Sequence, residues 1–240
     1  MEEKRRRGRP ATGKTVSSRK LMRDLMRQEA AIDQELEEAR GLIDWERRNR
    51  AEKSLSAFID TYLIGVLFET PPSEKFRGVL EEMTRAVFQS RPYNIELPRG
   101  CGKTTAVQAM ALWLLAYGKR KFLVVISSSA RSGTLILKDL YRLVSTQGDF
   151  AQDFPDICFP YLKADGCTRG RQTYRGKSVE LKCNAQDLYF PWIEGSPTCG
   201  SVVTCRGLGA GLRGLKVGML RPDLVLLDDL QTDKTAASTS

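Results

Sequence analysis

The sequence predicts an α/β fold with a mostly parallel sheet, and three observations lead to it. A strand-like stretch, Tyr93–Leu97, runs into a glycine-bearing turn and then into a helix starting near Lys103. The apolar run Phe122 to Ile126 has the length and composition of a central strand covered on both faces. A second apolar run, Leu224 to Leu227, ends in the paired carboxylates Asp228 and Asp229. Strand, helix, strand, helix in this order is the pattern of a parallel sheet covered by its crossover helices.

The 240 residues have room for one such domain with appendages. Three segments are expected: a disordered basic tail over 1–16, a helical arm over 17–53 and the α/β domain over 54–240. Apolar residues make up 41% and charged residues 28%, as in ordinary globular chains. No stretch of ~18 apolar residues occurs, so no membrane span is expected. The start, Met-Glu-Glu-Lys-Arg-Arg-Arg, does not resemble a secretory signal, and a cytoplasmic location follows as an expectation.

The net charge is +9, concentrated at the N-terminus, where residues 1–20 hold eight Lys/Arg against two Glu, a local +6. A polyanionic partner is the natural expectation. Arg7-Gly8-Arg9-Pro10, preceded by Arg5 and Arg6, resembles the core of an AT-hook, whose arginines lie in a narrow A·T minor groove. A plain basic tail on phosphates is the equal alternative.

Over 17–53 the residues Met22, Leu25, Ile32, Leu36, Ala39 and Ile43 fall at helical spacing, with Glu and Arg at four-residue intervals. This suits either a coiled-coil arm or a solvated helix laying one stripe on the body. After a mixed segment ending at Pro71-Pro72-Ser73, residues 74–89 predict an amphipathic helix with Phe76, Val79, Leu80, Met83 and Val87 on one face. Arg91-Pro92 ends it.

Next comes Pro98-Arg99-Gly100-Cys101-Gly102-Lys103-Thr104-Thr105. A strand, such a turn and a helix direct backbone N–H groups and the positive end of the helix dipole at one point, where a polyphosphate can sit. Lys103 is placed to reach the β- and γ-phosphates, and the Thr104 hydroxyl to ligate Mg²⁺. ATP and Mg²⁺ are the expected ligands. The P-loop pattern is imperfect, because Leu97 stands where its first glycine belongs. The following helix is expected to be amphipathic through Val107, Met110, Ala111, Leu114 and Leu115, and to stop at Gly118.

Beyond the 122–126 run, Ser127–Ser132 is a capped turn and 133–145 a helix. Residues 146–200 are less regular, with short strands expected at 178–183 and 201–204. Between Leu162 and Lys182 six Lys/Arg face two acids, so Arg169, Arg171, Arg175 and Lys177 are candidate DNA contacts on a loop, or simply solvated. Asp228, at the end of a buried strand, is the Walker B candidate for holding Mg²⁺, and Asp229 is placed to orient or deprotonate a water. The chain has no histidine, and its six cysteines form no C-x-x-C pair. This argues against zinc and against His-assisted nucleophiles.

Taken together, Leu97-Pro-Arg-Gly-Cys-Gly-Lys-Thr-Thr105, Gly211-Leu-Arg-Gly214 and Arg221-Pro-Asp-Leu-Val-Leu-Leu-Asp-Asp229 resemble the ATPase domain of phage terminase large subunits, the motors that package DNA. The resemblance spans about residues 54–238. It implies a P-loop NTPase of the ASCE type in which a deviant Walker A with an internal arginine is usual. By position it gives Arg99 a γ-phosphate role, Arg213 the place of an arginine finger, and Asp229 the place of a catalytic base that is commonly Glu. It also implies double-stranded DNA, a small terminase subunit, the procapsid portal and a ring of copies as partners. In that class a further strand after Walker B lies between the Walker A and Walker B strands. Residues 230–240 are too short and polar to supply it, so the ATPase domain is expected to be incomplete at its C-terminus, without a nuclease domain, and a poor ATPase on its own. The alternatives are a DNA-binding P-loop ATPase of helicase or chromosome-handling type, or a non-catalytic DNA-binding remnant.

Overall fold

Caps and buried apolar runs fix the helices in the computed structural model, which describes residues 18–98, 100–167, 169–175, 177–210 and 214–230. The arm is helix α1 (Ser18–Gly41) followed by α2 (Trp45–Glu52). Asp44 breaks it and caps α2, its carboxylate accepting the Arg47 N–H at 2.9 Å. Serines do the same for α3 (Leu55–Phe58), α4 (Glu74–Phe88) and α6 (Ala130–Val144), at Ser54, Ser73 and Ser129. Between α3 and α4 the chain widens into a π-helical turn, Ile59–Leu63. Helix α5 (Lys103–Ala116) is buried continuously from Ala106 to Ala116, so the expected amphipathic helix is instead enclosed on every side. Helices α7 (Asp149–Asp153) and α8 (Pro155–Lys163) complete the set.

Among the described residues six strands form one mixed sheet: β1 (Phe122–Ser127), β2 (Arg169–Tyr174), β3 (Lys177–Cys183), β4 (Asp187–Tyr189), β5 (Val202–Gly207) and β6 (Leu224–Asp228), in the order β2-β3-β4-β5-β1-β6. Only β5-β1 and β1-β6 run parallel, and the other three pairings are antiparallel. The expected mostly parallel sheet is thereby corrected to a mostly antiparallel one. Two physical reasons account for this. The 162–182 stretch is not a loop, because β2 and β3 fold on each other as a hairpin. Tyr93–Leu97 is not a strand: it makes no ladder and is flanked by Pro92 and Pro98, which cannot donate to a sheet.

The sheet core is apolar on both faces at β1. Leu123 and Val125 join the large cluster that includes α5 and α6, while Phe122, Val124 and Ile126 pack on Leu215, Val217 and Leu220, a loop where the other face has helices. At the sheet's end β6 is an edge strand, with Val225 50% and Leu227 58% exposed. Across from it lie residues 91–98, and a cleft of about 1190 Å³ separates the two. No described helix is long and apolar enough to cross a membrane.

The arm packs on this body with one stripe. Leu36 is buried with Tyr174, Val179 and Ile193, and Ile32 lies beside them. Below, the fully buried Asp153 carboxylate accepts Arg47 Nε at 2.6 Å and Nη2 at 2.8 Å, the Tyr62 hydroxyl at 2.6 Å and the Asp44 N–H at 3.0 Å. Burial alone would raise this carboxyl, yet the bonds from Arg47, Tyr62 and Asp44 outweigh it and hold it below the usual carboxylate range.

Gly118 ends α5 as expected, with φ of +64°. A Cβ there would lie 2.5 Å from the Pro197 carbonyl oxygen. Gly118→Ala is therefore expected to lower the stability by more than the ~1–3 kcal/mol of left-handed strain alone, read as a shift of the urea midpoint at constant m-value.

Candidate functional site

The turn before α5 is built on two left-handed glycines, Gly100 (φ +81°) and Gly102 (φ +77°), with Cys101 exposed between them. Gly102 is the N-cap but has no side chain to cap with, so the first N–H groups of a 14-residue helix are left open to a ligand. Pro98 and Gly100 are exposed and Thr105 is half-buried beside them. Lys103 Nζ donates to the Leu97 carbonyl at 2.6 Å, which folds the side chain back over the turn. Leu97, the residue out of place in the motif, thus holds the lysine through its backbone, a contact that needs no particular side chain.

Thr104 meets Asp228 directly. Its hydroxyl lies 2.9 and 3.0 Å from the two carboxylate oxygens, joining residues 124 apart in sequence. Asp228 is at the carboxyl end of β6, in register with Ser127 of β1, and only 6% exposed. Burial raises its carboxyl above the usual range and the neighbouring Asp229 adds to this, while Thr104 and Lys103 pull the other way. Asp229 is exposed, has a left-handed φ of +40°, and makes no hydrogen bond or ion pair among the described residues. No group of three or more His, Cys, Asp or Glu converges among the described residues. A cation here would take its protein oxygens from Thr104 and Asp228 and the rest of its shell from phosphate and water, as Mg²⁺ commonly does.

The cleft beside β6 reaches Lys103, Asp228 and Asp229 but none of Gly100, Cys101 or Gly102. It therefore adjoins the glycine turn at the end where the lysine and carboxylates sit. Met83, Val87 and Val107 form its apolar floor.

Other expected site residues are placed elsewhere. Arg99, Arg213 and the tail arginines Arg5, Arg6, Arg7 and Arg9 lie outside the described residues. Arg169 and Arg171 are in β2, with backbones opposite Lys182 and Glu180. Arg175 and Lys177, at the hairpin tip, form ion pairs with Glu37 and Glu194 and so do not present bare charge. Sequence reasoning missed two polar links. Gln108, buried within α5, donates to Asp139 of α6 at 3.0 Å, and Thr204 of β5 donates to Asp187 of β4 at 2.8 Å. Neither has a motif that would reveal it.

Compared with family models, curated proteins and solved structures, the chain matches none.

Proposed function

We propose that this chain is an ATP-binding domain of P-loop type, and that it serves as the motor part of a terminase large subunit that couples ATP hydrolysis to the packaging of double-stranded DNA. The observation that supports the nucleotide reading best is the junction of Thr104 with Asp228, because it sets a helix N-terminus, a lysine, a hydroxyl and a buried carboxylate around one point. The three ordered motifs around Gly102, Gly214 and Asp228 support the terminase assignment. A small subunit, a portal, a ring of copies and a host cytoplasm belong to the same proposal.

In this reading the open N–H groups of α5 and the Lys103 ammonium bind the β- and γ-phosphates. Lys103 releases the Leu97 carbonyl to do so. Thr104 and Asp228 fit Mg²⁺, which supplies charge neutralisation at the phosphates when bound. Asp229 faces the same space and orients water there, with a reach one methylene shorter than Glu. Arg99 and Arg213 take the γ-phosphate and finger roles. The cleft opens onto this point beside an edge strand, so water is poorly excluded. Binding without rapid turnover is the expected behaviour.

Titration with a fluorescent ATP analogue, with and without Mg²⁺, tests the assignment. Asp228→Ala is expected to erase the gain in affinity from Mg²⁺ while leaving metal-free binding in place. Equal Mg²⁺ dependence in both proteins would remove Asp228 from the site. Brisk steady-state hydrolysis by the chain alone would refute the expectation of slow turnover. Portal and capsid genes beside its own would separate packaging from a helicase-type role.

A further inference from the structure

The acidic half of α1 lies on a basic hairpin. Both carboxylate oxygens of Asp33 accept the Arg175 backbone N–H at 2.9 Å. Glu37 takes the Arg175 guanidinium, and Glu35 the Lys163 ammonium. Arg175 sits at the β2–β3 tip with a left-handed φ of +49°, and Lys177 beside it is paired with Glu194. A turn N–H, a guanidinium and an ammonium group meeting the carboxylates of α1 are the donor set that phosphate oxygens also take. Residues 162–182 keep six Lys/Arg against two acids, so without α1 this surface would be strongly cationic.

The ion pairs holding the acidic stretch of α1 over Arg175 and Lys163 are exposed, and such pairs are individually weak and screened by salt, while Arg40 at the C-terminal end of α1 stays anchored through a half-buried pair with Asp156. The apolar hold is narrow: Leu36 is the one residue of α1 that is buried among those described, with Ile32 beside it. Toward its N-terminus α1 turns basic, with Lys20 and Arg27 exposed, and continues from a stretch where residues 1–20 carry +6. A polyanion attracted there arrives next to the acids that cover the hairpin.

We propose that α1 masks a duplex-DNA site: Asp33 and Glu37 occupy the phosphate positions offered by Arg175, Glu35 occupies that offered by Lys163, and DNA takes those positions when the arm lifts. The site is separate from the nucleotide turn and does not depend on how that turn is read.

Fluorescence anisotropy of the full chain with a labelled mixed-sequence duplex, across a salt series, tests this. Two independent variants should unmask the site: Asp33→Asn with Glu35→Gln and Glu37→Gln, and separately Leu36→Ala. Each is expected to bind more tightly and to steepen the plot of log K against log salt by about 1.8, for two added phosphate contacts at about 0.9 each. Adding Arg175→Ala and Lys163→Ala should return either variant to the original slope. A control that removes the same charge elsewhere, Glu46→Gln with Glu69→Gln and Glu74→Gln, should leave the slope unchanged. An unmasked variant that loses thermal stability with no change in DNA binding would overturn the proposal and leave the acids as mere packing contacts. Tightening that persists without Arg175 and Lys163, or that the control reproduces, would overturn it in favour of net charge alone.

Discussion

Lys103→Ala should abolish measurable nucleotide binding while leaving the fold intact. Among the described residues the ammonium makes one hydrogen bond, to the Leu97 carbonyl, on a turn that packs little. Its loss therefore costs the fold little, and the freed carbonyl can turn to water. Against bound phosphates the same group supplies charge-assisted hydrogen bonds of about 1.5–3 kcal/mol each, so one lost contact weakens binding roughly 10- to 100-fold and two remove it from ordinary titrations. Equilibrium binding of the fluorescent analogue, beside an unchanged circular dichroism spectrum and Tm, checks both halves. Undiminished affinity in a folded variant would sink the P-loop assignment.

The largest expected loss of stability lies elsewhere, at Asp153. Its carboxylate is fully buried and is the common acceptor for Arg47, Tyr62 and the Asp44 N–H. Asp153→Ala leaves a buried tyrosine hydroxyl unpaired and the Arg47 guanidinium with the exposed Asp149 carboxylate at 3.2 Å in place of its buried partner, and breaking a buried pair from one side costs about 3–5 kcal/mol. For a chain of this size that corresponds to a Tm lower by roughly 6–20 °C, measured by calorimetry. The double variant with Arg47→Ala should lose less than the sum of the two single changes, since the charges no longer strand each other. The pH dependence has a definite sign. Because the folded carboxyl is held below its unfolded value, its stabilisation is complete above the unfolded range near pH 4 and is lost as pH falls through the lower folded value. Asp153→Ala should flatten the acid limb of the stability curve, and an unchanged limb would mean that Asp153 is not the group responsible.

Segments whose signals are local were legible in the sequence. The 122–127 and 224–228 strands announce themselves by continuous apolar runs, and α4 by its apolar periodicity and a capping serine. Thr104 and Asp228 were each expected at one Mg²⁺ site, and the fold brings the two side chains within hydrogen-bond distance, a contact that no local signal gives. What depends on neighbours was not legible. Arg-Gly-Arg-Gln-Thr-Tyr has no strand pattern of its own and becomes β2 only by pairing with β3. Tyr93–Leu97 has strand-like residues but no adjacent strand to bond, and propensity cannot report a missing partner. Helix α5 looked amphipathic because Ala106, Ala109 and Gln108 read as a weak face, whereas packing encloses them as well. The Asp153 knot joins four segments through side chains that have no common motif.

The open edge of β6 carries a consequence for how the protein behaves in bulk. Leu-Val-Leu-Leu is a strongly β-forming, uncharged stretch at a sheet margin, with Val225 and Leu227 largely exposed, and such margins template the addition of further chains. The flanks oppose this: Pro222 and Asp223 stand before the stretch, Asp228 and Asp229 after it, in the gatekeeper positions that keep sticky strands from stacking. The exposed Asp229, proposed above to orient water at the nucleotide, thus also guards colloidal solubility. A neutral replacement at Asp229 weakens that guard, so such a variant will grow more prone to precipitate as it is concentrated, with no nucleotide involved.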